Sequence, residues 1–143
     1  MSFSNEVNAE LGLVFFVAKG YMKTKELVDL EKASFKDPAR RPNMKIITDV
    51  RLANLDVDLD SLKALIARNR ELNQSGWELE KTAFITNNHL LISLANSYEL
   101  MSGDLPLQLK VCKTLEDAIT WLELDADKER VQAAHQRLLA ELA

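Results

Sequence analysis

Three places in this chain hold side chains that could do chemistry. Lys45-Ile46-Ile47-Thr48-Asp49-Val50 is a short apolar run that ends on a carboxylate. As a buried central strand it delivers Asp49 to the sheet edge where helices begin. A carboxylate there can anchor a ligand or a metal ion. It can also accept backbone N–H bonds within its own loop, which is the commoner use of a lone acid. Asn87-Asn88-His89 falls where a helix starts. Unpaired N–H groups and the helix dipole attract anions at such a point, so His89 could bind phosphate or carboxylate, or act as a base. Capping by Asn88 beside an exposed His89 is the plainer reading. Cys112, the sole cysteine, ends the following strand. A Cys–His pair can make a nucleophile, but no protease or transferase signature surrounds these two residues, and a buried, inert thiol is expected.

The elements that must position these groups follow from periodicity. Met1 to Asn8 forms a weak first strand, with Phe3 and Val7 on one face. Leu13-Val14-Phe15-Phe16-Val17-Ala18 is a strand covered on both sides, and Gly20-Tyr21 stops it. Thr24 caps a helix that carries Leu27 and Leu30 and ends near Asp37, ahead of Pro38. After Asp49 the stretch Arg51 to Asp58 is irregular. Asp58 then caps a second helix, with Asp60 in its first turn and Leu59, Leu62, Leu65, Ile66 and Leu72 on one face. Thr82 to Thr86 is a strand. Asn88 caps a third helix with an apolar stripe from Leu91 to Met101, closed by Gly103. Leu107 to Cys112 is the last strand. Thr114 opens a capping box before Leu115, Ala118, Ile119 and Leu122. A final helix, Asp127 to Leu142, carries a stripe of Val131, Ala134, His135, Leu138 and Leu142 that must be buried on the domain or on a second subunit.

Alternating strands and helices predict an α/β domain with a four- to five-stranded, mostly parallel sheet built from successive βα units and right-handed crossovers. Residues 1–123 form that domain and residues 124–143 a C-terminal helical extension. Ligands in such sheets gather at the carboxyl ends of strands. That rim presents Tyr21, Asp49, Arg51, Asn88, His89 and Lys113 as candidate ligand-binding residues, beside Gly20, Asn87 and Thr114.

Composition narrows the function classes. With 143 residues, 47% of them hydrophobic, the chain can bury a sizeable core as one domain. The formal charge of −4 argues against broad nucleic-acid binding. Lys36, Arg40, Arg41 and Lys45 form the one basic cluster, expected to be a solvated loop. Trp121 and Tyr98 read as core, and Trp77 as cover for a sheet edge or an interface. A single cysteine fits a reducing compartment. The apolar run from Leu11 to Ala18 is far short of the ~20 residues that span a membrane. A cytoplasmic protein without stable membrane insertion is expected. Neither a metal-ligand cluster nor a glycine-rich phosphate loop is visible, so no metal or cofactor is expected.

The order of these pieces carries a resemblance. A glycine after the first long strand, the strand ending in Asp49, Lys81-Thr82-Ala83-Phe84-Ile85-Thr86, a helix with Tyr98-Glu99, and Leu115-Glu116-Asp117-Ala118-Ile119-Thr120-Trp121-Leu122 resemble the small bacterial SpoIIAA-like (STAS/SEC14-like) proteins over about residues 10 to 122. The resemblance implies a STAS-like fold, related in shape to the CRAL-TRIO lipid-binding domain. Anti-sigma-factor antagonists of this kind are switched by a serine phosphorylated just after an aspartate that Asp49 matches. Val50 and Arg51 stand where those serines would be, and neither can carry a phosphate. The resemblance and the lack of a catalytic constellation lead to a non-enzymatic regulatory or protein-interaction module, with an unknown protein partner and a homodimeric state. The alternative is a CRAL-TRIO-like binder of a small amphipathic ligand or lipid, with an apolar pocket between helices and sheet.

Overall fold

The computed structural model describes residues 2–78, 81–106 and 108–142. Among these residues, five strands form one sheet in chain order: β1 (Ser2–Asn8), β2 (Leu13–Lys23), β3 (Lys45–Asp56), β4 (Lys81–Ile85) and β5 (Gln108–Cys112). β1 is antiparallel to β2, and the remaining neighbours are parallel. The helices are α1 (Thr24–Ser34), α2 (Leu59–Gln74), α3 (His89–Met101), α4 (Leu115–Trp121) and α5 (Lys128–Glu141). This is the mixed α/β sheet that the sequence pattern predicts.

Connectivity decides which face each helix covers. β2 to β5 step across the sheet in one direction, so right-handed crossovers put α1, α2 and α3 on one face. The chain past β5 then covers the other face with α4 and α5. Strand alternation matches this division. Leu13, Phe15, Val17, Ile47, Ala83 and Ile85 pack with Ala118, Ile119, Leu122, Val131 and Leu138. Ala18, Met22, Val50 and Leu55 pack with Leu27, Leu30, Leu91 and Leu94 on the opposite side.

Local chemistry sets the helix starts. The Asp58 carboxylate accepts from the Ser61 N–H, the Asn88 side chain from Leu90 and Leu91, and the Thr114 hydroxyl from Asp117. Thr24 does not cap. It is the first residue of α1, and its hydroxyl donates to the Asp56 carbonyl at 2.9 Å. α1 ends at Ser34, three residues short of the expected Asp37, and turns fill the gap. α3 closes at Met101, two residues before Gly103. Leu59 faces solvent instead of the core. Leu107, the expected start of the last strand, lies outside the described residues.

Two strands run on where the sequence reading stops them. Gly20 and Tyr21 continue β2, because Gly20 adopts φ 84° inside the strand, a value its missing Cβ permits. β3 passes through Asp49 and reaches Asp56, so residues 51–56 are strand and not an irregular connection. The last parts of β2 and β3 pair as a two-stranded ribbon beyond the ends of β4 and β5.

The basic loop is solvated only in part: Lys36 and Arg41 are exposed and Lys45 is half-buried. Arg40 is buried, its guanidinium 4.5 Å from the Phe35 ring centre and 5.8 Å from that of Trp77. Arg41 donates to the Ala9 carbonyl at 2.9 Å. Trp77 packs on Phe35 at 5.1 Å.

The apolar stripe of α5 is buried within the chain. Val131, Ala134 and Leu138 close the sheet face, and the Ser4 hydroxyl donates to the Leu138 carbonyl at 2.8 Å. Arg137 and Arg130 pair with Glu6 and Glu10 outside that core. The Leu138→Ala variant is expected to lose about 3 kcal/mol of unfolding free energy, the usual cost of emptying a buried leucine site. Urea denaturation reads this directly, and a loss below about 1 kcal/mol would mean that α5 is not seated on the sheet.

Candidate functional site

Asp49 sits inside β3, paired with Val17 on one side and Ile85 on the other. Its side chain is 5% exposed and points to the α5 face, so it does not emerge on the expected rim. Three donors meet it. The Arg51 guanidinium binds both carboxylate oxygens, Nε to Oδ1 at 3.0 Å and one terminal nitrogen to Oδ2 at 2.8 Å. The Arg51 backbone N–H adds a bond to Oδ1 at 3.1 Å. His135 of α5 places Nε2 2.9 Å from Oδ2, its ring stacked on Phe15 at 5.6 Å.

A β-bulge makes the Arg51 contact possible. Val17 pairs with Asp49 but Lys19 pairs with Leu52, so β3 carries one residue more than β2 across this step. The extra residue swings the Arg51 side chain back over the face that Asp49 occupies. Burial pushes the Asp49 carboxyl up. The hydrogen bonds from His135 and then Arg51 outweigh burial and bring it down to about 2. With Asp49 ionised, His135 Nε2 carries a proton and donates it to Oδ2.

The remaining candidates are separate. Tyr21 is exposed, and its hydroxyl donates to Asp56 Oδ2 at 2.9 Å across the ribbon. Asn88 caps α3, while His89 and Lys113 are exposed. Among the described hydrogen bonds, none links Tyr21, Asn88, His89 or Lys113 to Asp49 or to one another. Cys112 is buried, and burial pushes its thiol up, away from the thiolate that nucleophilic attack needs.

A mainly apolar space lies on the opposite face. A cavity of about 150 Å³ opens between α1, α2, α3 and the sheet. Leu27, Leu62, Phe84, Leu91 and Leu94 supply much of its wall. At one end stand Glu31, Asn69 and Tyr98. The Asn69 side-chain amide donates to the Tyr98 hydroxyl. Burial pushes that hydroxyl's pKa up, and the negative charge of Glu31 acts in the same direction. None of the six expected rim residues lines this cavity.

Sequence reasoning missed His135 and Asn69 as polar partners, though each left a signal. His135 interrupts the apolar stripe of its helix. Asn69 follows Leu62 and Ile66 on the buried face of α2. A polar side chain on a buried helical face needs a hydrogen-bonding partner nearby. Among the described residues, no group of three or more His, Cys, Asp or Glu side chains could hold a metal ion, and no helix is long and apolar enough to cross a membrane.

The low Asp49 value fixes a pH dependence. A carboxyl held down in the folded state contributes stability above its unfolded value, and that contribution disappears as pH falls through the folded value. Replacing Asp49→Asn is expected to cost roughly 2 kcal/mol near neutral pH. The gap between variant and parent should shrink from about pH 4 downward and close near pH 2. Urea midpoints of both proteins across this range measure it. A gap that stays constant would mean that the three donors do not hold the carboxylate.

No family model and no curated protein sequence matches this chain. Among solved structures, it is similar to an uncharacterized protein of the DUF3478 family with a SpoIIAA-like fold from Shewanella loihica PV-4. The two share 15% sequence identity at a TM-score of 0.54, over 85% of this chain and 92% of that one. Identity at that level speaks to the fold alone, and the fold is SpoIIAA-like.

Proposed function

We propose that this chain is a non-enzymatic SpoIIAA-like binding module that takes a small amphipathic molecule between α1–α3 and the sheet. The observation that carries this reading is the apolar cavity of about 150 Å³ with a polar end. Protein interiors are packed to crystal-like density, and voids much larger than a water are few. The space is partly open to solvent and lined mainly by apolar side chains, so an apolar occupant would remove that surface from water, a gain of about 25 cal/mol per Å² covered. The Asp49 network takes no part in binding under this reading; it fastens α5 on the other face.

The test uses toluene as an apolar probe. Titration is expected to perturb the methyl NMR signals of Leu27, Leu91 and Leu94 while leaving those of Val131 and Leu138 in place. Ala95→Phe, which adds a ring to the cavity wall, is expected to abolish the response, and the milder Ala95→Leu to weaken it. Toluene that leaves the first group of methyls unmoved would end the proposal.

A second reading, docking of a partner protein or a second copy, is supported by the ribbon. Tyr21 and Leu52 are 54% and 56% exposed on one of its faces, while Met22 and Leu55 are buried on the other. Light scattering of the parent and of a Tyr21→Ser, Leu52→Asp double variant separates the readings. A dimer that the variant dissociates would favour docking, and a monomer in both cases would remove self-association.

A further inference from the structure

The lining of the cavity changes character along two of its helices. On α2, Leu62 and Leu65 come before Asn69; on α3, Leu91, Leu94 and Ala95 come before Tyr98. These residues recur three or four positions apart, so each set lies on one helical face. On both helices the lining is apolar near the start and turns polar about two turns later. We infer, resting on the binding reading above, that Tyr98 donates its hydroxyl proton to the occupant. The occupant is then a neutral carbonyl compound, seated with its oxygen at Tyr98 and its apolar part toward Leu62 and Leu91.

Hydrogen-bond accounting carries this step. Tyr98 is 5% exposed, and a tyrosine hydroxyl so buried ordinarily finds a partner for its proton. Its oxygen accepts from the Asn69 amide. That bond uses a lone pair and leaves the O–H proton still to be donated. Among the described hydrogen bonds, none has the Tyr98 hydroxyl as its donor. Position points the group at the cavity. Tyr98 also borders an outer groove beside Glu99, Ser102 and Gln108, but Asn69 lines the cavity and not that groove. The hydroxyl meets Asn69, so it stands on the cavity side. Burial pushes its pKa up, and it keeps its proton throughout the neutral range.

The donor selects the chemical class. A buried donor left without an acceptor is unfavourable, and one carbonyl oxygen satisfies it. A carbonyl offers lone pairs and adds no proton that would need an acceptor in turn. It also brings no full charge, which a single neutral donor among apolar side chains would not offset. An ammonium group has no lone pair to offer.

Acetophenone and ethylbenzene, alike in shape and different in one oxygen, test the inference. The infrared carbonyl band of bound acetophenone is expected below its position in a hydrocarbon solvent. Replacing both tyrosines by a ring-fluorinated tyrosine, a stronger donor of nearly the same shape, is expected to lower the band further; Tyr21, the other one, lies on the ribbon and does not line the cavity. Tyr98→Phe is expected to return the band to its hydrocarbon position and to weaken acetophenone about three- to tenfold, the usual worth of one hydrogen bond. Ethylbenzene is expected to change by less than about twofold in the same variant. That substitution also takes the acceptor from the Asn69 amide, so Tyr98→Phe combined with Asn69→Leu serves where the single variant fails to fold. A parent band at the hydrocarbon position, or a lowered band that Tyr98→Phe leaves in place, would overturn the hydrogen bond while ethylbenzene binding keeps the binding reading. Failure of both probes to bind would instead remove the binding reading itself.

Discussion

Burying a carboxylate between a sheet and a helix is unfavourable by several kcal/mol unless donors meet it, and this constraint organises the molecule around Asp49. Arg51 comes from the same strand, turned by a bulge. His135 comes from α5, 86 positions further along the chain. A helix that reached the sheet in another register would leave the carboxylate short of a donor. The pair therefore fixes where α5 sits, and the apolar contacts of Val131, Ala134 and Leu138 make that seat tight. In this protein the ion network acts on register, while area burial supplies the bulk of the adhesion.

The two faces of the sheet are packed differently. Under α4 and α5, Ile47, Ala83, Ile85, Ala118, Ile119 and Leu122 are fully inaccessible. Under α1–α3, Leu27, Leu30, Phe84 and Leu94 are only partly buried. The three crossover helices each span one βα step and also carry Glu31, Asn69 and Tyr98 inward. Polar groups that must bond to one another cannot interdigitate as leucines do, so space stays open beside them. One face works as structural backing and the other holds the candidate binding volume.

Much of this was legible in the sequence, and the exceptions have physical causes. The apolar runs at 13–18 and 45–50, the caps at Asp58, Asn88 and Thr114, and the terminal helix follow local rules that the folded chain obeys. The ends of β2 and β3 were not legible. Period-two alternation reads Ile46, Thr48 and Val50 on one face, and the bulge at Arg51 then shifts the phase, so that Ala53 and Leu55 return to that face. A phase slip looks like the loss of a strand when only one-dimensional spacing is available. The Asp49–His135 pair was hidden for another reason. Each residue looked self-sufficient within its own element, as a loop acid and as a helix-stripe histidine, and only the sheet's three-dimensional order brings them together.

The placement of α5 has a consequence for synthesis on the ribosome. Its contacts with β1 join residues 134 and 131 positions apart, in Ser4–Leu138 and Glu6–Arg137. Until the final helix leaves the exit tunnel, Leu13, Phe15 and Val17 lack the cover that Val131, Ala134 and Leu138 supply. Such long-range closure slows folding, and an uncovered apolar strand face is prone to aggregate in the interval.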